Sequence, residues 1–84
     1  LAAIHRVLDD AVANREIDGY HKVRYRHVGP FHWVDMHLHV DPGMTVAEGH
    51  DLASAIESRI ERRFDQANAT AHLEPADGRE HGPC

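Results

Sequence analysis

Residues 31–40 read Phe-His-Trp-Val-Asp-Met-His-Leu-His-Val, and this alternation limits what the chain can become. In an extended strand Val34, Met36, Leu38 and Val40 fall on one face, and Trp33, Asp35, His37 and His39 fall on the other. One face needs a core, while the other carries groups that a core rejects. A second run of period two, from Tyr20 to about Val28, alternates Val23 and Tyr25 with Lys22, Arg24 and Arg26. Gly29-Pro30 between the two runs is a turn signal, so they should pair as an antiparallel hairpin.

The flanking segments have helical periodicity. From Leu1 to about Arg15, the residues Ile4, Val7, Leu8, Ala11 and Val12 form one apolar stripe, which Asp18-Gly19 ends. After Asp41-Pro42-Gly43, Thr45 with Glu48 three residues later is a capping box for a helix reaching about Phe64. Its stripe of Val46, Ala53, Ile56, Ile60 and Phe64, with Leu52 at the margin, is expected to face the sheet. Glu57, Glu61, Arg59, Arg62 and Arg63 are expected on or near the wet side. Ala69 to Leu73 reads as a short third strand stopped by Pro75, and residues 77–84 read as a disordered tail. The order α-β-β-α-β implies an α+β fold, a two-layer sandwich over residues 1–76 with a three-stranded sheet open on one face. The third strand, entered from a helix, should run parallel to a hairpin strand.

Composition narrows the function. The chain has 84 residues, 14 acidic and 9 basic, for a formal charge of −5, and protonating its nine histidines would carry that to +4. A net acidic chain makes a poor nucleic-acid binder, because phosphate affinity needs clustered Lys and Arg. The one cysteine, Cys84, rules out both an internal disulfide framework and a thiolate cage. No stretch approaches the ~18 apolar residues of a membrane span, so this segment should not insert in a bilayer. Because it opens with Leu, the chain reads as an excised or processed piece, whose parent could carry a membrane domain upstream. Nothing designates a nucleophile, a positioned base or a phosphate loop, and the chain is read as no enzyme.

The histidines carry the chemistry. His37 and His39 lie opposite core residues Met36 and Leu38, and His72 and Glu74 lie opposite Ala71 and Leu73. All four should therefore share the open face. Neutral imidazole and carboxylate suit Zn²⁺, and also Co²⁺, Ni²⁺, Cu²⁺ or Fe²⁺. The plain alternative is a solvated sheet face. His21 shares parity with core-facing Val23, and His50 falls on the buried helical stripe, where a core or edge histidine is the ordinary reading. His5, His27, His32 and His81 read as surface residues. Trp33 on the polar face suggests a partner surface, and a core this small favours a homodimer.

Four segments in order extend the argument: Tyr20-His21-Lys22-Val23-Arg24-Tyr25-Arg26, Val34-Asp35-Met36-His37-Leu38-His39-Val40, Ala47-Glu48-Gly49-His50-Asp51-Leu52-Ala53 and Ala71-His72-Leu73-Glu74-Pro75. Together they resemble the cytosolic C-terminal domain of cation diffusion facilitator transporters. The resemblance implies a ferredoxin-like, metallochaperone-like fold and a V-shaped homodimer on the cytoplasmic face of a membrane. It further implies that metal near the dimer interface regulates a proton-coupled exporter through its membrane domain. The ion is commonly Zn²⁺, with Fe²⁺, Mn²⁺, Co²⁺ or Cd²⁺ in some members. Carried over by position, the ligands would be His21, His37, His50, His72 and Glu74, with His39 ranked second. Glu74 stands where many members have Asp. Outside this class, the alternatives are a stand-alone metal carrier or storage protein, or a small-molecule-binding regulatory sandwich.

Overall fold

The structure is a computed structural model that describes residues 2–76, and the expected tail at 77–84 lies outside the described residues. Its elements follow the expected order: helix α1 (Ala2–Ala13), strands β1 (Gly19–Val28) and β2 (Phe31–Val40), helix α2 (Val46–Glu61) and strand β3 (Ala67–Pro75). The sheet order is β1-β2-β3, antiparallel between β1 and β2 and parallel between β2 and β3. The central strand is thus the one with the strict alternation. Val34, Met36 and Leu38 are buried against Ile4 and Leu8 of α1 and Ile56 and Ile60 of α2. Each such side chain removed from water stabilises the fold by about 1.5–3 kcal/mol.

Local chemistry sets the element ends. Thr45 accepts from the Glu48 amide while the Glu48 carboxylate accepts from the Thr45 amide, so the capping box is formed. The helix stops at Glu61, with Arg62 as its C-cap, short of the expected Phe64. At the end of α1, Arg15 adopts φ 61°, the Arg15 amide donates to Val12 O and the Glu16 amide donates to Ala11 O. This is a Schellman closure with arginine in the left-handed position that glycine usually takes. It turns Glu16 toward α2, where both carboxylate oxygens accept from Arg59 at 2.7 Å. In the hairpin Gly29 has φ 57°, and Pro30 after it holds a negative φ, a combination that fits a type II′ loop.

Several expectations for the second helix and third strand are corrected. Val46 is 91 % exposed rather than packed on the sheet, because the first turn of α2 overhangs an open groove. The buried stripe starts instead at Gly49 and continues through Ala53, Ile56 and Ile60, which leaves His50 exposed. Leu73 lies over Gly49 and stays 38 % exposed, so it lines the groove rather than the core. Arg59 is half-buried in its pair with Glu16.

Glu57 and Glu61 are half-buried rather than on the wet side. Their carboxylates accept from the backbone amides of Ala71 at 2.8 Å and Ala69 at 3.0 Å. β3 is an edge strand, whose outward N–H groups would otherwise offer a template for pairing. Two helical carboxylates four residues apart close that edge at alternate positions. Replacing Glu57 or Glu61 by Ala is expected to lower stability by about 1 kcal/mol each in urea unfolding. Amide exchange should accelerate at Ala71 or Ala69 respectively, and unchanged exchange there would refute the edge-closing role.

Candidate metal centre

The open face of the sheet gathers histidines from all three strands. Register pairs His37 with His21 across β1 and with His72 across β3, and pairs His39 with Glu74. For His37, His39, His72 and Glu74 this follows from parity. For His21 it does not, and the cause is a β-bulge. The pairing shifts register between His21 and Arg24, and Lys22 sits at φ 51°. The extra residue lets Tyr20 and Val23, an odd spacing apart, both pack on the core. His21 is thereby turned onto the open face. A signal was present in the sequence: Tyr20, Val23 and Tyr25 can share one face only if the strand bulges between the first two.

The tightest group is His21, His39 and Glu74, whose candidate ligand atoms all lie within 4.8 Å of one another. Glu74 Oε1 is 3.0 Å from His21 Nε2 and 3.8 Å from His39 Nε2. Ligand atoms on a tetrahedral Zn²⁺ at ~2.0–2.1 Å stand about 3.3 Å apart, a value these two separations bracket. His39 Nε2 is buried without a hydrogen-bond partner, and the buried Glu74 Oε1 has only the His21 ring within 3.0 Å. The donor set is nitrogen and oxygen, which suits a borderline divalent ion.

The other oxygen of Glu74 is held from beside. His37 Nδ1 lies 2.6 Å from Oε2, so the imidazole N–H donates to the carboxylate and orients it. That ring stacks on His72 at 4.8 Å, and the His21 ring stands edge-on to His37 at 5.3 Å and His39 at 4.5 Å. The structure thus brings together five of the six sequence candidates, with His72 exposed at the margin. His50 is not among them: it lies on α2 beside a groove of about 510 Å³ that Glu74 also lines. Trp33 is on the same open face, 43 % exposed and packed on Phe31 at 4.8 Å.

The Glu74 carboxyl is held below its ordinary value of 4.5, first by the His37 hydrogen bond, against burial, and then by His21. A depressed acid contributes stability that is present above the unfolded value and lost as pH falls through the folded one. The carboxylate is therefore ionised, and able to ligate, at every pH above about 4.5.

Residues 2–76 match the family described as "Cation efflux protein, cytoplasmic domain". The chain belongs to this family, a class of transporter domains rather than of enzymes, and its place is the cytoplasmic side. It is 31% identical over 72 residues to the cation-efflux pump FieF of Pectobacterium atrosepticum, covering 84% of this chain and 24% of the pump. It is 38% identical over 56 residues to the uncharacterized transporter sll1263 of Synechocystis, covering 67% and 18%. The chain spans about a quarter of the length of the first of these relatives. Among solved structures, the metal-bound C-terminal domain of the CzcD transporter from Thermotoga maritima aligns with a TM-score of 0.76 and 26% identity, covering 92% of each chain. The Zn form of CzrB aligns with a TM-score of 0.76 and 26% identity, covering 92% of this chain and 89% of that one. Among the described residues no helix is long and apolar enough to cross a membrane.

Following the Glu74 carboxyl carbon by NMR through an acid titration of the metal-free protein should give a midpoint below 4.5. A midpoint above it would contradict the hydrogen bond from His37.

Proposed function

We propose that this chain is the regulatory metal-sensing and dimerisation domain of a divalent-cation efflux transporter, with Zn²⁺ as the ion it reads. The observation that carries the reading is the convergence of His21, His39 and Glu74 on the open side of the sheet, where the buried Glu74 Oε1 lies 3.0 Å from His21 Nε2 and 3.8 Å from the buried His39 Nε2. In this proposal His21, His39 and Glu74 hold the ion. His37 holds the carboxylate in place, and His72 and His50 complete the coordination as two protomers approach. An ion that binds one arrangement of the protomers better than another shifts the population toward it. The membrane domain of the parent protein is the element that would read this shift. A stand-alone carrier would use the same ligands, but the greater length of the FieF relatives favours a domain of a larger transporter. The Irving–Williams order means that affinity in vitro does not identify the physiological ion, so Fe²⁺, Mn²⁺, Co²⁺, Cu²⁺ and Cd²⁺ are the competing assignments.

Calorimetric titration with Zn²⁺ is expected to show a strong site that weakens by about tenfold or more in His39→Ala and in Glu74→Ala, with the fold retained. Parent-like affinity in both variants would sink this ligand set. Absence of binding by the parent chain at micromolar Zn²⁺ would favour a small-molecule-binding domain instead. Trp33 is the only tryptophan, so its fluorescence reports directly on the open face. Its emission should shift to the blue as dimers form, in step with a rise in sedimentation coefficient. Trp33→Ala should weaken association, and a species of only 9.5 kDa at high concentration, with and without metal, would refute the dimer.

A further inference from the structure

Two histidines at the hairpin tip stand apart from the site described above. His27 and His32 are direct cross-strand partners, one residue inside the Val28–Phe31 pair that closes the loop. The His32 amide donates to Gln66 O on the β3 side at 3.0 Å, so it does not point at β1. The pair is therefore of the non-hydrogen-bonded kind, in which facing side chains come closest. Their ring centroids are 5.9 Å apart and the planes are inclined by 38°. Two imidazoles sharing one ion at ~2.0–2.1 Å can hold their centroids no further apart than about 6.4 Å.

The surroundings admit the ligating form of both rings. His27 Nδ1 makes a long contact, 3.4 Å, with Gly29 O. A carbonyl can only accept, so the contact selects the tautomer with the proton on Nδ1 and leaves the Nε2 lone pair free. His32 Nδ1 lies 2.7 Å from the Tyr25 hydroxyl. That hydroxyl can accept as well as donate, so in the tautomer with the proton on Nδ1 it accepts from His32 and leaves Nε2 of that ring free to ligate. The His32 ring is clamped on Phe64 at 4.4 Å, which limits the entropy lost on ligation. His27 is exposed and His32 half-buried, so neither ring is sealed in the core.

We propose that His27 and His32 form a second, independent metal site, a cross-strand imidazole chelate for a late first-row divalent cation with water in the remaining positions. Tyr25 and Gly29 O act on it as orienting groups through the Nδ1 atoms. His32 lies on the helix side of the sheet and five residues from His37 along β2, about 16 Å away. The site therefore shares no ligand with the Glu74 centre and does not rest on the function proposed for it.

The test is an NMR titration of the full chain with Zn²⁺, in the parent and in His27→Gln. In the parent, ring and amide signals from Tyr25 to Trp33 should shift in a phase separate from those of His39 and Glu74. In His27→Gln this phase should weaken by about tenfold or more while the Glu74 phase is unchanged. His27 is exposed, so the variant leaves the packing intact, whereas His32→Gln also removes the contact with Phe64 and serves as a second check. The proposal is overturned if the hairpin signals do not move in the parent, or if they move equally in His27→Gln. Hairpin shifts without any at Glu74 would support this site while counting against the metal-sensing reading.

Discussion

The burial of one face of β2 is the constraint from which the rest follows. Val34, Met36 and Leu38 are each 2 % exposed or less, and a slip of one residue would put all of them in water. The same pleat that locks them inward locks His37 and His39 outward. As the central strand, β2 also dictates the position of both neighbours, so His21, His72 and Glu74 are placed by pairing with a strand whose own register has no freedom. A cluster of imidazoles and one carboxylate drawn from three strands is held without any loop, on the regular elements of the sheet.

Most of this architecture was legible because the relevant signals were local. The alternation of residues 31–40, the Thr45–Glu48 box and the stripe from Ile4 to Ala11 each state their own secondary structure, and the apolar faces then leave one way to stack. The errors have a common cause: they lie where one element meets the end of another. Val46 has helical periodicity with Ala53, but the sheet does not reach beneath it. His50 loses its place on the stripe to Gly49, whose missing side chain lets Leu73 come close. Periodicity reports which residues align on a helix, and it is silent on how far the opposing layer extends.

The site was legible only in part for a related reason. Parity carries a residue to a face only while the strand stays regular, and the bulge at Lys22 resets it. Reading β1 as uninterrupted sends His21 into the core; allowing both Tyr20 and Val23 to be buried turns it outward. The trio with the closest ligand atoms then includes His39, which ranked second by resemblance, while His37 occupies a supporting position on Glu74. Glu57 and Glu61 were hidden differently. Their charge suggested solvent, yet an edge strand has unpaired amides that a carboxylate can satisfy.

The size of the domain gives the candidate centre its leverage. A core of this scale supplies only ~3–5 kcal/mol of net stability. An ion present at a hundred times its dissociation constant adds about 2.7 kcal/mol to whichever state binds it. The two quantities are comparable, so occupancy of a site built on the open face would change the balance of the whole domain rather than perturb it locally. Glu74 is already ionised at neutral pH, and its Oε1 already lies 3.0 Å from His21 Nε2 and 3.8 Å from His39 Nε2. Binding would then need little reorganisation of the ligands, and most of its free energy would be available to favour one protomer arrangement over another.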